Sequence, residues 1–296
     1  MHNNLTKLFV NDKIYYLLIF CFTLLVSFYY FPTLDQKAIT AALITSSEIY
    51  NNNHNQLIFF RLDYMNSWSL IFQLVRLLIY AGLSLEFISF LILFISLNMS
   101  IYGIFLISKR ISNDLFFSFC ISCFLVISNI NFGNLDYPVI LISNHSAGMI
   151  SHACILLIFG LIADRRLNLA ILLSILTVGL HLVIGLWTLS ILLMSIYFFK
   201  KESLDINNLT KIDLILYILT ALIVIFSFIE FRLSTINIPF LYDKYLHQTY
   251  LDIWDHHRSK IFGINYKYIS LTFLMLCSIL FFYKKEKKIK NNSFFF

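Results

Sequence analysis

The sequence predicts an all-α, polytopic integral membrane protein with about eight transmembrane helices and one or two interfacial helices in its first outer loop. Three observations predict it. The chain is 59% hydrophobic and 13% charged, too little polar cover for a soluble fold of 296 residues. Several uncharged stretches are long enough to cross a bilayer. Lysine and arginine gather at the ends of those stretches, where they act as orientation signals. The net charge of +6 is therefore read as topology, and nucleic acid is not an expected partner.

The first span is 14–34, preceded by Lys7 and Lys13 and too long for a signal-peptide core. Further spans are expected at 87–108, 115–131, 148–163, 167–180, 183–199, 212–230 and 269–283. The stretch 167–199 is read as a hairpin, because Asp164-Arg165-Arg166 and Lys200-Lys201 then share a side. Its tip would lie at Gly179–Gly185. The stretch 67–83 is apolar enough to insert but carries Gln73 and Arg76 at its middle, and a central arginine in lipid is costly. It is read as lying in the outer leaflet without crossing.

With that choice both termini are cytoplasmic, in a multi-pass protein of the inner (plasma) membrane. Lys109, Arg110, Arg165, Arg166 and the lysines of the basic tail, 284–296, then fall inside, as the positive-inside rule asks. Of the 8 histidines, only His2 joins them. The rest lie at or near the outer face, where the first outer loop (33–86) and a late outer loop (231–267) hold much of the polar mass. One membrane domain covers 1–296. The 5 cysteines all fall in apolar runs and are read as buried small apolar residues, Cys120-x-x-Cys123 included.

Asp35 sits where the first span leaves the membrane. A carboxylate there is placed to act as a base or to hold a metal near a lipid headgroup, or simply to cap a surface helix. Asp63, later in the same loop, either shares that chemistry or pairs with Arg61. His181 at the hairpin tip is a ligand-binding residue or a structural one bonded to a nearby carbonyl. His256, His257 and Arg258 fall in a stretch crowded with aromatic and ionisable residues. That stretch suits phosphate recognition or a plain interfacial belt, whereas spacings of the zinc type are absent.

Together these residues resemble the GT-C superfamily, polytopic glycosyltransferases that use polyprenyl-phosphate-linked sugars. The resemblance rests on Leu34-Asp35-Gln36 after the first span and Asp63-Tyr64-Met65-Asn66 later in the loop. It rests also on the tip His181-Leu182-Val183-Ile184-Gly185-Leu186 and on Trp254-Asp255-His256-His257-Arg258 before a late span. It implies glycosyl transfer at the outer face, from a polyprenyl-phosphate lipid to a glycan acceptor. Asp35 and Asp63 would be catalytic, with Arg76, His181, His256, His257 and Arg258 binding substrate. No cofactor is expected, although two carboxylates in one loop are compatible with a divalent cation. The competing classes are a transporter or flippase for a lipid-linked glycan and a non-catalytic membrane subunit.

Overall fold

Helix α1 (Asp12–Tyr30) starts on an acidic residue, which suits the positive end of a helix dipole. Its buried face repeats every four residues through Tyr15, Ile19, Thr23 and Ser27. It belongs to a computed structural model that describes residues 12–31, 69–128, 141–142, 147–199, 210–235 and 273. Residues 1–240 and 241–296 form two compact units, and every helix named below belongs to the first. Among the described residues the regular structure is helical.

Seven helices follow α1 among the described residues: α2 (Leu70–Tyr80), α3 (Leu85–Ser112), α4 (Leu115–Ile127) and α5 (Ala147–Ala163), then α6 (Leu167–Leu180), α7 (Leu182–Phe199) and α8 (Lys211–Thr235). Local chemistry sets several boundaries. The Phe87 amide donates to Ser84 Oγ at 3.3 Å at the start of α3, and the Phe117 amide to Asp114 Oδ1 at 2.9 Å at the start of α4. These are ordinary side-chain N-caps. Helix α3 ends at Asn113, left-handed at φ 56°, a conformation that asparagine tolerates better than most residues.

Helix α3 forms the spine. On one side α1 lies against it, with the Tyr16 and Tyr102 rings 5.2 Å apart, edge to face, and Tyr15 6.1 Å from Phe105. On the other side α5 comes so close that glycine is required at the crossing. A Cβ on Gly160 would lie 2.7 Å from the Gly103 carbonyl oxygen, and one on Gly103 would overlap the Leu156 backbone. Close backbone approach over small residues is a principal way in which helices associate in lipid. Helices α6 and α7 form a hairpin turned by one residue, His181, with α8 packed on α6.

Among the described residues three helices are long and apolar enough to cross a membrane: α1, α3 and the part of α8 from Lys211 to Ile229. Helices α4 to α7 are shorter and apolar. The 11 residues of α2 rise roughly 16 Å, about half of a hydrocarbon core. The expected non-crossing stretch 67–83 is therefore a short helix. The expected spans among the described residues coincide in place with helices, whose ends differ by a few residues. Helix α1 begins two residues early, at Asp12, and α4 stops at Ile127 with Ser128 as its C-cap. The expected span 269–283 lies outside the described residues, apart from residue 273.

One expectation needs correction. The cysteines are free, but of those described only Cys154 is buried, while Cys21 and Cys120 are exposed and Cys123 lies between. An apolar run fixes the preference for lipid over water. It does not fix which face meets protein.

Candidate functional site

The hairpin tip shows how the sequence builds a polar point in an apolar setting. Helix α6 ends at Leu180, His181 is extended at φ −152° and ψ 107°, and α7 begins at once. The His181 amide donates to the Thr177 carbonyl at 3.0 Å, and its carbonyl accepts from the Gly185 amide at 2.8 Å. The chain can reverse this tightly only over glycine, since a Cβ on Gly185 would overlap the backbone of Val178 and Thr177. His181 is half-buried. Its Nδ1 accepts a long hydrogen bond, 3.4 Å, from the Ile184 amide, the third residue of α7. The imidazole thus serves as the N-cap of α7. An accepting Nδ1 leaves the ring proton on Nε2 in the neutral form.

Helix α2 lies across this tip. Ser69 Oγ, buried, donates to the Leu180 carbonyl at 2.6 Å, which satisfies one of the carbonyls that a helix end leaves open. Leu70 reaches Gly179, where a Cβ would meet Leu70 Cδ2 at 3.3 Å and Val224 Cγ2 of α8 at 3.1 Å. The buried face of α2, Ile71 and Val75, joins a cluster with Ile88, Ile92, Ile150, Cys154 and Leu180. Its other face exposes Leu74, Leu77 and Tyr80. The surface reading of 67–83 needs such an arrangement, protein on one side and apolar exposure on the other.

Of the expected site residues, the structure places His181 at the hairpin tip and the backbone of Arg76 on α2, which packs on α6, α3 and α8. Asp35, Asp63, His256, His257 and Arg258 lie outside the described residues. His152, two turns into α5, is half-buried. Its Nδ1 is buried and makes no well-formed hydrogen bond. Among the described residues no three His, Cys, Asp or Glu side chains gather as a metal group.

Two features at the hairpin end and its opposite were not read from the sequence. One is Ser69, an unremarkable serine whose partner is 111 residues away. The other is an ionic network at the far end of the bundle. Lys109 Nζ lies 2.5 Å from Asp12 Oδ2 and 3.7 Å from Asp164 Oδ1, and Arg166 Nε lies 2.8 Å from Asp164 Oδ2. This ties α1, α3 and the α5–α6 turn together. Partial burial opposes the Arg166 charge, but Tyr102, Asp164 and Tyr16 outweigh it and raise its pKa. Opposite charges at the ends of different apolar runs were the available signal.

No family model, curated protein or solved structure matches the chain. The functional reading therefore rests on the residues themselves.

Proposed function

We propose that this is a polytopic membrane enzyme of about eight spans that transfers a sugar from a polyprenyl-phosphate lipid to a glycan acceptor. The work would be done at the hairpin end of the bundle, facing outward from the inner (plasma) membrane, with both termini cytoplasmic. Asp35 deprotonates the acceptor hydroxyl, assisted by Asp63. Arg76, His181, His256, His257 and Arg258 hold the donor phosphate and offset its charge as the sugar leaves. The observation that carries the reading is α2. This short helix bears Arg76, is hydrogen-bonded to the hairpin tip through Ser69 and exposes Leu74, Leu77 and Tyr80 on its far side. A lipid-linked donor needs such a place, where its chain meets apolar surface and its phosphate meets cations. A transporter should show repeat symmetry, and no internal repeat is visible in the sequence, which favours the enzyme over a flippase.

The test is release of polyprenyl phosphate from a polyprenyl-phosphate sugar by purified protein in proteoliposomes, with an oligosaccharide acceptor. Asp35→Asn, folded and inserted, should lose about 10²-fold or more of the activity. Movement of the lipid without sugar transfer would replace the enzyme by a flippase. If the parent neither transfers nor moves the lipid, a non-catalytic subunit becomes the reading.

A further inference from the structure

The opposite end of the bundle carries a second binding feature, independent of the sugar-transfer reading. Helix α5 closes in a Schellman motif: the Arg166 amide donates to the Leu161 carbonyl at 2.8 Å and the Arg165 amide to Ile162 at 3.0 Å. Arg165 occupies the left-handed position of that motif, φ 61°. Glycine belongs there, because a side chain in this conformation crowds its own carbonyl. The chain keeps an arginine where the turn alone would favour its loss.

The surrounding charges suggest what the arginine is for. Among the described residues the nearby carboxylates are engaged: Asp12 and Asp164 by Lys109 and Arg166, Asp114 by the Phe117 amide, and Asp213 by the amide and hydroxyl of Thr210. Arg110, Arg165 and Lys211 are exposed and make no ion pair among the described residues. All three lie at one end. Lys109 reaches Asp164 beside the α5–α6 turn, and Asn168 of α6 meets Asp213 of α8 at 3.4 Å. Each is followed within a few residues by exposed apolar side chains: Ile111 after Arg110, Leu169 after Arg165 and Ile212 after Lys211. Cations at the ends of apolar helices, bordered by outward isoleucine and leucine, match a molecule with an anionic head and hydrocarbon tails.

We propose that Arg165, Arg110 and Lys211 bind headgroup phosphates of anionic phospholipids, with the acyl chains against Ile111, Leu169 and Ile212. Arg165 is the central ligand, because its planar guanidinium presents two donors to a phosphate. The site is built for the leaflet rich in anionic lipid, and removing one such cation weakens attachment about fivefold.

The experiment uses the full chain, purified and placed in phosphatidylcholine vesicles with or without phosphatidylglycerol. Lipid retained on the extracted protein is counted by native mass spectrometry, and the thermal midpoint is followed in parallel. The parent should keep phosphatidylglycerol and unfold later with it. Arg165→Gly should unfold no earlier than the parent in pure phosphatidylcholine, since glycine suits the turn, yet lose about fivefold in phosphatidylglycerol retention. Arg165→Asn, which also tolerates left-handed backbone, provides the same comparison if glycine loosens the turn. Adding Arg110→Gln and Lys211→Gln should lower the retention further, by about fivefold for each cation removed. Parent-like retention in these variants overturns the proposal. So does a rise of the midpoint with inorganic phosphate in phosphatidylcholine equal to that with phosphatidylglycerol, which would assign the site to a soluble anion.

Discussion

Gly103→Ala tests the packing most directly. The new Cβ would overlap the carbonyl carbon and oxygen of Leu156 and sit 2.7 Å from the Leu157 nitrogen. These are backbone atoms of a neighbouring helix, so no side-chain rotation relieves the clash. Ordinary contact requires α3 and α5 to part by on the order of 1 Å, and a gap of that size forfeits a quarter to a half of each dispersion contact along the crossing. Leu97, Ile101, Phe105, Leu106 and Ile158 are almost wholly buried in the cluster beside it. Overpacking a close-packed core costs about 1–3 kcal/mol, occasionally more. A backbone clash belongs at the upper end, so about 3 kcal/mol is expected, near a 150-fold change in the unfolding equilibrium. The assay is unfolding of the purified protein in mixed micelles with increasing denaturing detergent. Gly82→Ala is the control: Gly82 has φ 82° with nothing within 4 Å of a Cβ, so only backbone strain of about 1–2 kcal/mol applies. A Gly103→Ala protein that unfolds like the parent, or no earlier than Gly82→Ala, would refute the close crossing.

Ser69→Ala removes the hydroxyl that the Leu180 carbonyl accepts at 2.6 Å and should cost about 1 kcal/mol, rising toward 3 if the carbonyl stays unpaired. Protease cleavage beside α2 should quicken with it. Lys109→Met leaves Asp12 without its partner and Asp164 with Arg166 alone. The site is a partly exposed bundle end, so about 1–2 kcal/mol of stability should be lost, and less at high salt, as measured by unfolding in detergent. His181→Asn keeps an oxygen that can cap α7, whereas His181→Ala does not. The two should differ by about 1 kcal/mol in stability while both lose the Nε2 donor, and polyprenyl-phosphate binding should fall equally in both.

The hairpin of α6 and α7 was legible in the sequence because two independent signals agreed. Charges at 164–166 and 200–201 had to share a side, and Gly179 and Gly185 bracket the residue that turns. The short α2 was legible because Arg76 and Gln73 at its middle make a crossing costly. The partners were not legible. A helix apolar on every face has no stripe to show which side meets protein, so nothing in α3 or α5 announced that Gly103 and Gly160 touch. The pairing of Lys109 with Asp12 and Asp164 failed to register for a related reason: the positive-inside rule counts cations and ignores the carboxylates they hold. Of the expected site residues His181 alone has its side chain among those described, and there its Nδ1 accepts from the Ile184 amide as the cap of α7, a structural use of the kind the sequence left open beside ligand binding.

The unequal lengths of the helices carry a consequence for the bilayer itself. Helix α3 has 28 residues and α6 has 14, so they rise roughly 42 Å and roughly 21 Å. Both reach the ionic end, α3 has twice as many residues as α6, and α2 packs against both. A hydrocarbon core is about 30 Å thick. With α6 set in a bilayer, the lipids beside it would have to thin to match it, whereas those beside α3 would need only allow it to tilt, each at fractions of a kcal/mol per ångström. Headgroups would then be drawn down toward His181 on the hairpin side, and membranes of longer acyl chains should resist that dimple.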